Sequence, residues 1–433
     1  MPNYLIRCAY FFRSLSTVIL LCFITAGCSH FKKQPNKPAA PIVQSQPAPE
    51  QAKPVIPPQE PTTSIPPVTS SLPANEEYAL LKPVAWQSVN GFKEDNLSQA
   101  WPAWLLGCSA LINKPAWKEV CTIAQSLKAD LSPAEIQAYF MQYFSAYQST
   151  NQDGSQTGLV TGYYQPILKG SREKNTSYPH ALYSKPDDLI TVELQALFPE
   201  LKFKRVRGRV VNNKLIPYLN RAEIERSDSP IKNNAFIYID DIIDVFFLHV
   251  QGSGLVHLEG GESVHVGYAD QNGHPYHSIG RLLIERGELT LPNASMQGIK
   301  NWAKQNPTKV NELLNSNPSY VFFRELPGNL PGPLGALGVP ILGERVIAVD
   351  PKYTPLGAPV FLSTTEPNST KPLKRLMMAQ DTGGAIKGGV RADFFWGAGV
   401  EAGNKAGSMK QAGTMWVLLP KTFIFSKSQN PKP

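Results

Sequence analysis

The 433-residue sequence is short of several things, and each shortage closes off a class of protein. Past residue 28 no apolar run is long and charge-free enough to cross a bilayer. The strongest, "AFIYIDDIIDVFFLHV" over 235–250, carries Asp240, Asp241 and Asp244, and charge at membrane depth is costly. Five cysteines occur; Cys8, Cys22 and Cys28 lie at the N-terminus, so only Cys108 and Cys121 remain as a candidate bridge. No internal repeat is visible. The glycine-rich "GGAIKGG" has no Ser or Thr after Lys387, so it is not a phosphate loop. "QGSG" has Gln251 where a nucleophile elbow needs its first glycine. "HPYH" over 274–277 has no carboxylate or thiolate placed beside it, so no metal and no cofactor is expected.

What is present begins with a leader. Arg7 and Arg13 precede the mostly apolar "LSTVILLCFITAGC", which ends in small residues as signal peptides do. Ala26 and Gly27 before Cys28 resemble a lipoprotein cleavage box, although Thr25 stands where an aliphatic residue is usual. An uncleaved anchor or an ordinary secretory signal are the alternatives. On the lipoprotein reading residues 1–27 are removed and Cys28 carries lipid. Ser29 then favours the outer membrane, with the protein facing the periplasm. Residues 28–75 are rich in Pro, Gln and Ser and nearly free of aromatics, and so form a tether reaching roughly 140 Å. In an oxidising compartment Cys108 and Cys121 are expected to form a disulfide; two buried thiols are the other reading. The formal charge of +8 suggests an anionic partner, and in an exported protein that is cell-wall material rather than nucleic acid.

The remainder reads as mainly β with helices. From Asn96 to Gln148 the spacing is helical, with Ser132, Pro133 and Glu135 forming a capping box. "TGLVTGYYQPIL" reads as a strand ending at Pro166. A mixed stretch follows, with strand-like "RVRGRVV", "AFIYIDD" and "VFFLHVQGSG". Its helices are "SIGRLLIERG", "SMQGIKNWAKQ" and "PTKVNELLNSN". After Arg324 short strands and Gly/Pro turns return, which argues a barrel or sandwich. The expected organisation is discontinuous. Residues 76–165 and 324–433 would form one β domain and 166–323 an inserted second one, with the binding groove between them.

Three aspartates end or border apolar runs: Asp350 after "RVIAV", Asp381 after "LMMAQ", and Asp393 before "FFWG". Such carboxylates often cap turn amides, and Asp350 in "DPKYTPLG" and Asp381 before Thr382-Gly383-Gly384 fit that role. Asp393 differs. Phe394, Phe395 and Trp396 supply apolar surroundings that raise a carboxyl pKa and keep a proton available near neutrality, as a general acid requires. The glycines between Asp381 and Asp393 permit close approach of backbone to a bulky ligand.

"DPKYTPLGAPVF", "AQDTGGAIKG" and "RADFFWGAG", with "TGYYQP", "DVFFLHVQGSG", "NGHPYHSIGRLLIERGE" and "NPSYVFFRE" upstream, resemble in order the signatures of the membrane-bound lytic murein transglycosylase A family. The resemblance implies a double-ψ β-barrel domain plus an inserted second β-rich domain. It also implies cleavage of the β-1,4 bond between N-acetylmuramic acid and N-acetylglucosamine in peptidoglycan glycan strands, leaving 1,6-anhydromuramic ends. Asp393 falls on the catalytic position, and Asp381 and Asp350 on supporting ones. Tyr164, Gln165, Gln251, Ser253 and Gly254 are candidate groove contacts, and Lys387 a candidate partner for a substrate carboxylate. A non-catalytic scaffold lipoprotein and a hydrolytic muramidase are the rivals. A monomer is expected.

Overall fold

The computed structural model describes residues 78–128 and 130–425. The expected leader, the candidate lipidation site Cys28 and the expected tether therefore lie outside the described residues.

Six strands close on one another. Gly158–Gln165 runs parallel to Arg391–Ala398, which pairs antiparallel with Val346–Val349. That strand runs parallel to Pro372–Asp381. Pro359–Thr365 and Lys410–Pro420 complete the circuit, and Lys410–Pro420 pairs back onto Gly158–Gln165. Phe144–Ser149 and Leu81–Val84 extend outward from it. Closure leaves few open edges, and Val346, Ile347, Val360, Leu376, Met378, Phe394 and Val417 are buried on one face of the ring or the other.

Helices Trp101–Leu111, Pro115–Ser126 and Pro133–Tyr143 pack onto this ring. Ser132 and Glu135 make the reciprocal capping box. Trp101, Trp104, Phe140 and Phe144 meet mostly edge-on or tilted, the geometry aromatic quadrupoles favour. The helical spacing stops earlier than expected: Phe144 is extended and opens a strand, because that segment pairs with Lys410–Pro420 instead of continuing its own turn. Cys108 and Cys121 form a disulfide that ties the first two helices, their Cα atoms 5.1 Å apart.

The intervening chain forms a second sheet of Val321–Glu325, Ser263–Gln271, Ser253–Leu258, Ile167–Ser171, Ala235–Ile239 and His180–Tyr183, in that order. A bridge between Ser184 and Phe323 joins its two outer strands. A three-stranded sheet, Ile190–Thr191, Arg207–Val211 and Lys214–Pro217, lies beside it. One expectation fails here. "VFFLHVQGSG" is a helix, Ile242–Gln251, before it becomes a strand at Ser253. Asp241 caps it by accepting from the amides of Ile243 and Asp244, and Gly252 ends it at φ 81°. Its residues look strand-like because both faces are covered. Val245 and Leu248 face the sheet, while Ile243 and Phe246 face helices Ile279–Glu285, Met296–Gln305 and Val310–Asn315. Among the described residues no helix is long and apolar enough to cross a membrane.

A buried ion pair joins the N-terminal segment to the ring. Arg345 donates to both oxygens of Asp95, at 2.8 and 3.0 Å, and the Leu376 amide adds a third bond at 2.7 Å. Both side chains are about 95% buried, at 5% and 4% exposure. A charge left alone there is severely penalised. Arg345→Met should lower stability by about 3–5 kcal/mol in urea unfolding. A loss of less than about 1 kcal/mol would mean the pair holds nothing together.

Candidate active site

Strand register gathers the aspartates. Ala348 lies opposite Asp381 on one side and Asp393 on the other, and Thr161 lies opposite Asp393 on the far side. Residues directly opposite share a face, so Asp381, Ala348, Asp393 and Thr161 form one row across four strands. At about 4.8 Å per strand, the two carboxylate-bearing backbones stand roughly 10 Å apart, with only a methyl group between them.

Thr161 donates to Asp393 Oδ1 at 2.5 Å. Arg391 donates through Nη2 to the same threonine oxygen at 2.8 Å. Tyr163, two residues along from Thr161 and on the same face, donates to Asp381 Oδ2 at 2.9 Å. Asp381 Oδ1 accepts from the amides of Ala336 at 3.0 Å and Thr382 at 2.8 Å. Arg205 of the inserted segment reaches Thr382 Oγ1 at 3.1 Å. Asp350 is buried below the glycine loop. It accepts from Gly388 N at 3.0 Å and Lys352 N at 3.3 Å. Gly388 has φ +122°, which a side chain would strain, so the clamp depends on glycine there. Lys387 is exposed, with Nζ 4.0 Å from Asp350 Oδ1.

The carboxylates are not equivalent. Asp393 is half-buried, and loss of water pushes its pKa up to about 6. The Thr161 bond and the Arg391 charge oppose that rise, and the charge of Asp381 adds to it. Burial also raises Asp381, against the bonds from Thr382, Tyr163 and Ala336 and the charge of Arg205. Tyr163 is held well above its ordinary value, first by burial and then by Asp381. The result is one carboxyl poised near neutrality whose Oδ2 has no hydrogen-bond partner among the described residues, beside one whose oxygens are both engaged.

The expected aromatic wall is only partly there. Phe395 shares the face of Asp393 and packs on Tyr163 at 5.0 Å between ring centroids. Phe394 and Trp396 point the other way, as strand alternation demands, and pack on each other at 4.5 Å. Helix Gly399–Ser408 covers that second face. Its small residues allow close approach: a Cβ on Gly162 would meet Ala406 Cα at 2.8 Å, and one on Gly403 would meet the Tyr164 ring at 2.9 Å.

The remaining candidates sit where the strand leaves the ring. The Tyr164 amide donates to Gln251 Oε1 at 3.0 Å, and its hydroxyl to Met296 Sδ at 3.2 Å. Gln165 is buried, 3.3 Å from His265 Nδ1. Ser253 opens a strand, and a Cβ on Gly254 would meet Leu248 at 2.6 Å. Among the described residues none of these five bonds to the three aspartates. In "HPYH", His274 is 2.7 Å from the Tyr218 carbonyl. Sequence reasoning passed over Thr161, Tyr163, Arg391 and Arg205. Period-two alternation in "TGYYQ" puts Thr161 and Tyr163 on one face and Tyr164 on the other, and was the signal for the first two. Nothing local marks Arg205.

Residues 159–324 match the MltA specific insert domain and residues 345–419 the 3D domain. Fold and site thus define an insert-bearing 3D-domain protein. MltA from Neisseria gonorrhoeae is 38% identical, covering 80% of this chain and 94% of that one, with a TM-score of 0.68. The chain belongs to the membrane-bound lytic murein transglycosylase A (MltA) family, and its β-rich architecture with helices is the MltA-like fold. Membrane-bound lytic murein transglycosylase A of Escherichia coli K12 is 34% identical over 269 residues, which is 60% of this chain and 64% of that protein's length. Escherichia coli MltA with bound chitohexaose matches at 26% identity over 80% of this chain and 93% of that one, with a TM-score of 0.57.

Asp393 links stability to pH. Its folded pKa, about 6, exceeds the ordinary 3.8, so its contribution is fully present below 3.8 and is lost as pH rises through about 6. Asp393→Asn removes that loss. The melting temperature of Asp393→Asn minus that of wild type should therefore rise between about pH 4 and pH 7 in calorimetry. A difference that ignores pH would mean the carboxyl ionises as it does in water.

Proposed function

We propose that the protein is a peptidoglycan lytic transglycosylase that uses one carboxyl group, Asp393, as acid and then base. The observation that carries this is the contrast between Asp393, with a raised pKa and an Oδ2 unbonded among the described residues, and Asp381, whose oxygens accept three hydrogen bonds. Hydrolytic glycosidases need two working carboxylates, one of them to attack or to activate water. A carboxylate held by Tyr163, Ala336 and Thr382 is poorly placed for either task. The MltA relative that binds chitohexaose supports a β-1,4-linked amino-sugar chain as the ligand class.

The reaction follows from that arrangement. Asp393 Oδ2–H protonates the glycosidic O4 as the bond from C1 to O4 breaks and its electron pair moves to O4. The C6 hydroxyl of the same muramic residue attacks C1 and closes the 1,6-anhydro ring. Its proton passes to Asp393 Oδ2, and the enzyme ends as it began. No water is consumed. The nucleophile is already part of the substrate, and proximity takes over the work of a second carboxylate. Asp350 and Asp381 hold the glycine loop and its neighbours in place.

The six-strand ring is our candidate for a double-ψ β-barrel built from 76–165 and 324–433, with 166–323 as the inserted domain and the glycan groove between them. Tyr164, Gln165, Gln251, Ser253 and Gly254 would shape the exit of that groove, mostly through backbone and packing, and Lys387 would meet a substrate carboxylate. Lipid on Cys28, after removal of residues 1–27, would tether a monomer to the periplasmic face of the outer membrane.

Purified glycan strands digested by the wild type should yield fragments one water lighter than hydrolytic ones. Asp393→Asn should lower kcat/KM by about 10²–10⁴-fold. Since the acid must be protonated, wild-type kcat/KM should fall as pH rises through about 6. Reducing-end products would make the protein a muramidase, and wild type without any cleavage would make it a scaffold.

A further inference from the structure

Arg391 is absent from the reaction as written, yet it is the cation nearest the acid. Its guanidinium is half-buried and donates to the carbonyls of Leu159 and Ala392 and to Thr161 Oγ1. Among the described residues it forms no direct ion pair with a carboxylate. Its charge reaches Asp393 through a hydroxyl.

The chemistry of the three groups sets the direction of that link. A guanidinium only donates, so Thr161 Oγ1 must accept from Arg391. The hydroxyl has one proton, and its remaining partner among the described residues is Asp393 Oδ1. The proton therefore points at Oδ1. Were Asp393 protonated on Oδ1, that proton would have to go to Thr161 Oγ1 and the threonine hydrogen would turn away from its acceptor. The acid form is therefore more stable with its proton on Oδ2. A cation behind the hydroxyl also polarises it and strengthens the bond it gives.

We propose that Arg391, acting through Thr161, is a positioning residue that holds the transferable proton of Asp393 on Oδ2, the oxygen that faces the substrate. The inference rests on the transglycosylase assignment above. Other charged or titratable groups lie around Asp393. Tyr163 faces it from the neighbouring strand and Asp381 from the strand beyond Ala348. Asp350 and Lys387 lie on the flanking loops, clamped to each other and to Gly388. Lys410 is paired with Thr161 in the next strand and is exposed. Glu401 and Lys405 sit on the helix over the opposite face, where Lys405 engages both Glu401 and Glu344. None of these touches Thr161 Oγ1, so none can do what Arg391 does.

The test is the pH profile of kcat and kcat/KM on glycan strands, read as anhydro-ended product, for Arg391→Met, Arg391→Lys, Thr161→Val and Thr161→Ser. Arg391→Met should lower kcat roughly tenfold and move the basic limb up by about one pH unit, because the cation no longer favours the ionised acid. Thr161→Val should do likewise, while Thr161→Ser and, in part, Arg391→Lys should restore wild-type behaviour. Adding Arg391→Met to Thr161→Val should lower kcat no further, since the link is already cut. If Arg391 only props the strands, kcat falls with the limb unmoved, or the two substitutions add; either result overturns the proposal. If Arg391→Met fails to fold, the Thr161 pair decides, and equal loss in Val and Ser overturns it too. Wild type giving no anhydro-ended product at any pH would instead remove the underlying assignment.

Discussion

The parallel pairing of Gly158–Gln165 with Arg391–Ala398 is the constraint on which the site depends. It sets Thr161 opposite Asp393 across 232 positions of chain. Side chains alternate between faces, so a slip of one residue would turn Asp393 away and bring Phe394 into its place. Both faces of the pair resist that slip. On one, Thr161, Tyr163 and Phe395 are locked by hydrogen bonds and ring packing. On the other, Gly162 admits helix Gly399–Ser408 so closely that only a glycine fits. Parallel strands need a long crossover, and here it takes in the whole inserted segment and three further strands of the ring.

The pairing explains why the Asp393 carboxyl is half-buried. A carboxyl on a loop would keep its water and its ordinary pKa. Held mid-strand against Tyr163 and Phe395, Asp393 loses most of its water. Ala348 beside it is buried and adds almost no bulk. Asp381 shares the row but ends its strand, where the amides of Thr382 and Ala336 converge. The difference in chemistry between two identical side chains is thus a difference between the middle and the end of a strand.

Much of this was legible in advance, for identifiable reasons. The capping box at Ser132 is a local signal, and local signals survive folding. Asp393 stood out because its aromatic neighbours are adjacent in sequence. Which of them shields it did not follow from adjacency: Phe394 and Trp396 belong to the opposite face. The helix Ile242–Gln251 was hidden because burial on both sides erases the periodicity that marks a surface helix. Gly399–Ser408 was hidden for the opposite reason, since its glycines oppose helix locally and only contact with Gly162 and Tyr164 rewards it. Arg205 meets Thr382 across 177 positions, and no pattern within either segment encodes that contact.

A single-acid mechanism places an unusual demand on its carboxyl group. The same oxygen must release a proton to O4 and accept one from O6 within a catalytic cycle. A strongly raised pKa would make the first step easy and the second hard, and an ordinary one the reverse. Burial alone drives Asp393 upward, and so does the charge of Asp381. Thr161 and Arg391 pull it back. A value near 6 is the balance of these opposed effects, close enough to neutrality that neither transfer is steeply uphill. On the proposed mechanism, the groups that temper Asp393 matter to its function as much as the groups that bury it. In this fold they come from the two paired strands, Gly158–Gln165 and Arg391–Ala398, whose register sets the site.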